Sequence, residues 1–201
     1  MIRLFVALAL PDALCRRLAA LQQPLPRSRW ATPENMHVTL RFVGEVPRGE
    51  ADDIGDMLSR IAVPAFDITV SGTGRFGSKA RVRALWAGIA KSPELMRLQG
   101  KVETACQRAG QPPEGRKFHP HVTLARCRDI REDQARDFLC ANDGFFGGTV
   151  RVGEFVLYSS RLGHDGPVYT PEARYPLSGD GRDVVPDDAR FAALAEEWAN
   201  D

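Results

Sequence analysis

His37-Val38-Thr39-Leu40 recurs, letter for letter, as His121-Val122-Thr123-Leu124. The chain has only four histidines, at 37, 119, 121 and 164, and two of them open this same tetrapeptide. Both copies are β-branched and alternating, so each reads as the start of a strand. In a strand, residues two apart point to one face and lie about 7 Å apart along the chain. His37 therefore shares a face with Thr39, and His121 with Thr123. Val38, Leu40, Val122 and Leu124 point the other way, into a core. Each strand offers one imidazole and one hydroxyl on a single side of an otherwise apolar element.

The surroundings of the two copies repeat as well. The first half reads as a strand over 2–9, a helix opened by Pro11-Asp12 and running to about 22, a proline-marked loop, the strand 37–43, and a helix over 48–62. The second reads as a strand over 82–89, a helix opened by Ser92-Pro93 and running to about 109, a loop with Pro112 and Pro113, the strand from His121, and a helix over 131–141. Further strands are expected over 66–70, 150–159 and 168–177. Residues 1–177 then form one bilobal, pseudo-twofold α+β domain. Its antiparallel sheets face a central cleft and its helices lie outside, so that the two HVTL strands look at each other across the cleft. The stretch 178–201 is a polar extension with a short helix expected over 187–199.

Composition sets the class. The chain has 201 residues, with 43% apolar and 26% charged, as in ordinary globular proteins. Lys plus Arg number 27 against 26 for Asp plus Glu, so bulk positive charge cannot be what holds a nucleic acid, although a local basic cleft could. Cys15, Cys106, Cys127 and Cys140 lie far apart without a CxxC, which suits a reducing compartment. The apolar run at 4–10 stops at Pro11-Asp12, too early for a signal peptide, and no stretch is long enough to span a bilayer. A cytoplasmic monomer without membrane attachment is expected.

Two imidazoles titrating near neutrality suit a base and an acid acting on opposite sides of one centre. Two hydroxyls beside them suit the oxygens of an anion. The reaction that uses this set without a metal is in-line displacement at a phosphodiester. A single histidine at a strand start is most often structural, its ring satisfied by a hydrogen bond. The pairing, in matching places of a duplication, is what points to chemistry.

Paired H-x-[ST]-x motifs are the signature of the two-histidine (2H) phosphoesterases, and the chain resembles their RNA 2′,3′-cyclic phosphodiesterase branch, formerly called 2′-5′ RNA ligases. The resemblance runs from residue 1 to about 177. It is carried by Arg3-Leu-Phe-Val-Ala-Leu8, Trp30, Asn35-Met-His-Val-Thr-Leu-Arg-Phe-Val-Gly-Glu45, Gly74-Arg-Phe-Gly77 and Val82-Arg-Ala-Leu-Trp-Ala-Gly88. It continues through Phe118-His-Pro-His-Val-Thr-Leu-Ala-Arg126, Leu157-Tyr-Ser-Ser160 and Gly166-Pro-Val-Tyr-Thr170. The resemblance implies a bilobed α+β fold and hydrolysis of a terminal 2′,3′-cyclic phosphate to a 2′-phosphate, with no cofactor and no metal required. It implies that His121 activates water as proton acceptor and that His37 is the proton donor to the leaving 3′ oxygen. On chemical grounds alone either imidazole fills either role. Thr39, Thr123 and Arg126 are implied to bind the phosphate. Arg126 falls on the wrong strand parity for this, so the strand must bend or twist before it. Phe42, Trp30 and Tyr158 are candidates to stack a base. The implied partner is RNA ending in a 2′,3′-cyclic phosphate, or a small cyclic nucleotide. The same motifs are compatible with 2′-5′ RNA ligation, with cleavage of 2′-5′ oligonucleotides or of a cyclic ADP-ribose phosphate, and with a non-catalytic RNA-end binder.

Three features imitate sites. Gly72-Thr-Gly-Arg-Phe-Gly77 matches G-x-G-x-x-G but no helix follows it, so it reads as a flexible hairpin connection whose Arg75, with Lys79 and Arg81, could touch RNA. His119 and His121, with Cys127 or His164, lack the spacing of a metal site. His164, in a Gly-His-Asp-Gly run, reads as a hairpin tip, and Arg116-Lys117 as either surface or RNA path.

Overall fold

The fold is taken from a computed structural model, which describes residues 1–178 except Asp165. Nine strands and four α-helices alternate along it. They are β1 (Ile2–Ala9), α1 (Asp12–Ala19), β2 (Ser28–Trp30), β3 (His37–Val46), α2 (Arg48–Ser59), β4 (Phe66–Gly77), β5 (Val82–Ile89), α3 (Pro93–Arg108), β6 (His121–Ile130), α4 (Glu132–Ala141), β7 (Phe146–Val152), β8 (Glu154–Gly163) and β9 (Gly166–Pro176). A single 3₁₀ turn, Pro33–Asn35, leads into β3. No helix among the described residues is long and apolar enough to cross a membrane.

The α+β class and the duplication are both present. The sheets, however, are one. All strands pair antiparallel in the order β7-β4-β5-β6-β3-β1-β8-β9, with β2 added on β6. Outward from the centre, β6 answers β3, β5 answers β1, β4 answers β8 and β7 answers β9. Helix α1 follows β1 as α3 follows β5, and α2 follows β3 as α4 follows β6. The two motif strands are therefore neighbours, not opposed walls. They share one registered pair, Val38 with Val122, where the two halves meet. The apolar sides of the motif strands, Val38, Leu40, Val122 and Leu124, are buried in one core with Leu14 and Leu18 of α1, Ile54 and Leu58 of α2, Leu98 and Val102 of α3, and Phe138 of α4. That burial anchors both strands to the helical layer and leaves the motif side chains on the other face.

Several boundaries differ from the expectations. Helix α1 ends at Ala19 and α2 at Ser59, short of the expected 22 and 62. The proline-marked loop contains β2. Gly72–Gly77 is not a flexible connection but the second half of β4, paired with β5, and the turn falls at Ser78–Arg81 instead. Gly74 is there for packing, since a Cβ would come within 2.3 Å of the Trp86 ring, whereas Gly72 and Gly77 take positive φ values of 70° and 110°. The strand expected over 150–159 is the end of β7 and the start of β8, parted at Gly153. The stretch 187–199 lies outside the described residues.

Candidate active site

Extending the Val38–Val122 register by one residue each way sets His37 against Thr123 and Thr39 against His121. Cross-strand neighbours point to the same face. The two imidazoles and two hydroxyls thus form a square on one side of the sheet, over the axis relating the halves. All four are half-buried and line one cleft of about 400 Å³.

The parity problem at Arg126 is solved by a β-bulge. Leu85 pairs with Ala125 and Trp86 with Thr123, so Leu124 is an extra residue in β6. Leu124 and Ala125 are consecutively buried, and Arg126 turns out to the cleft. The first motif carries the same bulge at the same place. Val6 pairs with Arg41 and Ala7 with Thr39, leaving Leu40 extra. Leu40 and Arg41 are consecutively buried, and Phe42 emerges on the cleft side, 38% exposed. A bulge inserts one residue and flips every side chain beyond it. The same device therefore delivers Arg126 in one half and Phe42 in the other.

Both imidazoles are held the same way. His37 Nδ1 lies 2.8 Å from the Asn35 carbonyl and His121 Nδ1 lies 2.6 Å from the His119 carbonyl. A carbonyl only accepts, so each Nδ1 carries a proton and donates it, which leaves Nε2 as the nitrogen available to the cleft. Aromatic rings brace the imidazoles. Tyr169 stands edge-on to His37 at 5.3 Å, and Phe5 packs beside it at 4.9 Å. Phe76 stands edge-on to His121 at 4.7 Å, and His119 packs against both Phe76 and Trp86.

Burial pushes the His37 imidazole down to about 4, with Arg126 and His121 adding to the depression against the opposing hydrogen bond to Asn35. Burial also lowers His121, assisted by His119 and Arg126. Arg126 thus acts on both rings, as a cation set between them would. Arg116, Lys117 and Arg29 also line the cleft, against one carboxylate, Glu114. Glu114 is engaged by Arg116 and by the buried Arg41, which also meets Glu103 of α3 at 2.8 Å. That last contact is electrostatic rather than hydrogen-bonded, since neither facing atom has a hydrogen-bond partner.

The aromatic candidates separate. Phe42 lies parallel to Phe5 at 6.0 Å, with the Arg3 guanidinium 5.3 Å from its ring centre. Trp30 reaches the cleft with its ring 5.4 Å from Phe138. Tyr158 does not line the cleft. It stacks on Phe5 at 5.2 Å and lines a smaller cavity, about 110 Å³, that also touches His37. Tyr169, Phe5, Phe76 and Arg29 were not singled out as site residues from sequence. Phe76 was hidden in an apparent loop, and Tyr169 arrives from the far end of the chain. Arg75 is bound to Glu132 at 2.6 Å. Cys127 is buried among core residues, on the side of β6 away from His121. His164 sits at the β8–β9 turn, which the Gly163–Gly166 pair closes. Among the described residues, no group of three His, Cys, Asp or Glu is placed to hold a metal.

Proteins with these features are known. The chain is 37% identical over 151 residues to an RNA 2′,3′-cyclic phosphodiesterase of Aeropyrum pernix, covering 74% of this chain and 86% of that one. It is 29% identical over 180 residues to the enzyme of that name from Escherichia coli, covering 88% and 97%. Among solved structures, E. coli LigT complexed with 3′-AMP superposes with a TM-score of 0.74 at 30% identity, over 89% of this chain and 99% of that one. TT0787 of Thermus thermophilus gives the same TM-score at 27% identity and the same coverage. The family model described as the 2′-5′ RNA ligase superfamily matches residues 10–164, and with the tandem motif built as above, the chain belongs to the 2′-5′ RNA ligase superfamily.

Proposed function

We propose that the protein hydrolyses the terminal 2′,3′-cyclic phosphate of RNA to a 2′-phosphate, using its two motif histidines as acid and base. The observation that carries this reading is the matched tethering of the two rings. Each Nδ1–H is bound to a backbone carbonyl two residues back, so two Nε2 atoms are left over one cleft that also holds two threonines and an arginine. His121 Nε2 takes a proton from water, and the hydroxide attacks phosphorus. The bond from phosphorus to the 3′ oxygen breaks in line, and His37 Nε2–H gives its proton to that oxygen. The ribose keeps a 2′-phosphate. Thr39 and Thr123 donate hydrogen bonds to the non-bridging oxygens, and Arg126 offers its guanidinium to the charge that grows there. The curated relatives named RNA 2′,3′-cyclic phosphodiesterase support the same substrate class.

The test is incubation of an oligoribonucleotide ending in a 2′,3′-cyclic phosphate, with EDTA present and with His37→Ala and His121→Ala in parallel. The expected result is a 2′-phosphate from the wild-type protein and loss of most turnover in each folded variant. A 3′-phosphate product, or wild-type rates in both variants, would refute the assignment.

A further inference from the structure

Strand β2 was not expected from sequence, and it places Arg29 directly opposite Arg126. Cross-strand partners project to the same face, so the two arginines leave neighbouring positions on one side of the sheet, and both line the cleft. Like charges in this position repel and weaken the sheet. Four other strand arginines, Arg41, Arg75, Arg151 and Arg174, each pair with a carboxylate. Neither Arg29 nor Arg126 has an ion pair or a side-chain hydrogen bond among the described residues. Two unneutralised cations, paired across strands beside a phosphate site, are arranged for more negative charge than one phosphodiester brings.

Arg29 also packs against the C-terminal hairpin. Its guanidinium lies against the backbone of Gly166, at the base of the β8–β9 turn. A Cβ on Gly166 would come within 3.0 Å of Nη2 and 3.1 Å of Cζ, and the Gly166 φ of +137° already disfavours any other residue. The next residue, Pro167, accepts a hydrogen bond from Asn35 Nδ2 at 3.1 Å, and Asn35 is the residue whose carbonyl tethers His37. The support for Arg29 is thus continuous with the support for His37.

Resting on the cyclic-phosphodiesterase reading above, we infer that Arg29 binds the internucleotide phosphate preceding the terminal cyclic phosphate, making single-stranded RNA ends the preferred substrates over mononucleotides. Cross-strand neighbours sit about 5 Å apart at Cα. From there two long side chains can splay onto two successive phosphates, Arg126 on the reacting one and Arg29 on the next.

The experiment compares three substrates: a dinucleotide ending in a 2′,3′-cyclic phosphate, the same dinucleotide with a neutral methylphosphonate linkage, and a mononucleoside 2′,3′-cyclic phosphate. Wild-type kcat/KM is expected to favour the charged dinucleotide over the neutral one by tenfold or more. Arg29→Ala should collapse that preference, chiefly through KM, and Arg29→Lys should restore part of it. The slope of log kcat/KM against log salt for the charged dinucleotide should shrink by about 0.7 in Arg29→Ala, the value for one phosphate contact on a single strand. Equal losses on all three substrates would overturn the inference, because Arg29 would then act at the reacting phosphate or in the fold. So would a wild-type protein indifferent to the linkage charge. If the wild type turned over none of the three, the functional reading would fail. Calorimetric affinities for the two dinucleotides would then decide Arg29 independently, with equal affinities overturning it.

Discussion

In the free protein both imidazoles titrate below the ordinary histidine value, His37 at about 4, through burial first, with the Arg126 charge adding to it at His37 and His119 followed by Arg126 adding to it at His121. At pH 7 a group at about 4 is protonated in roughly one molecule in a thousand, so free His37 is a poor proton donor there. The substrate changes this. A cyclic phosphodiester carries one negative charge across the working pH range. About 4 Å from an imidazolium, at an effective dielectric constant of about 20, that charge is worth about 4 kcal/mol. At 1.36 kcal/mol per pH unit this amounts to about three pH units. It also answers the Arg126 charge that helps depress both rings. His37 should therefore hold its proton toward neutrality in the complex. Because kcat/KM reports the free enzyme and kcat the complex, the two pH profiles should separate. The kcat/KM bell is expected to peak on the acid side of the ordinary histidine value. The kcat bell should peak about two to three pH units higher. Arg126→Gln should move the kcat/KM bell upward by removing a cation that acts on both rings. Initial rates on a cyclic-phosphate oligonucleotide from pH 4 to 9 would measure this. Coincident maxima for kcat and kcat/KM would refute the reasoning, since the complex would then have left the histidines untouched.

Thr39→Val and Thr123→Val keep the side-chain shape and remove the hydroxyl, so each should cost about 10²-fold in kcat, on the scale of losing one hydrogen-bond donor to a transition-state oxyanion; steady-state rates and an unchanged circular dichroism spectrum check it. Arg41→Ala would leave Glu103, only 18% exposed, without its cation and should lower stability by about 3 kcal/mol, read from urea unfolding. The depressed imidazoles make stability pH-dependent. Between the ordinary histidine value and about 4 the unfolded chain binds more protons than the native one, so stability should be complete above about pH 6.5 and fall as pH drops toward 4. Melting temperatures of wild type and His37→Gln test this, and the variant should lose less on acidification.

Much of this site was legible in the linear chain. The tetrapeptide repeat, its scarce histidines and period-two burial placed His37, Thr39, His121 and Thr123 on strand faces turned away from a core, and the structure puts all four on one cleft. Proline-opened helices located α1 and α3 because their signals are local. Arg126 was assignable only by resemblance, since regular alternation sends it to the core, and the bulge that reverses it is a mismatch with β5 rather than a property of the residues around it. The place of Tyr158, on the smaller cavity beside His37, was hidden for a similar reason. Which cavity a strand residue lines depends on what packs against that strand, and Phe5 covers Tyr158.

The sequence by itself determined the duplication, the alternation of apolar and polar faces and the reactive groups, because each depends on residue type and on spacing within a few positions. Tertiary structure alone decided that the motif strands lie side by side rather than face to face. It also turned Arg126 and Phe42 outward, brought Tyr169 from the C-terminal hairpin to His37, and paired Arg29 with Arg126. These outcomes depend on which strand hydrogen-bonds to which, and in what register. That is a choice among distant segments, settled by burying both halves' apolar faces in one core.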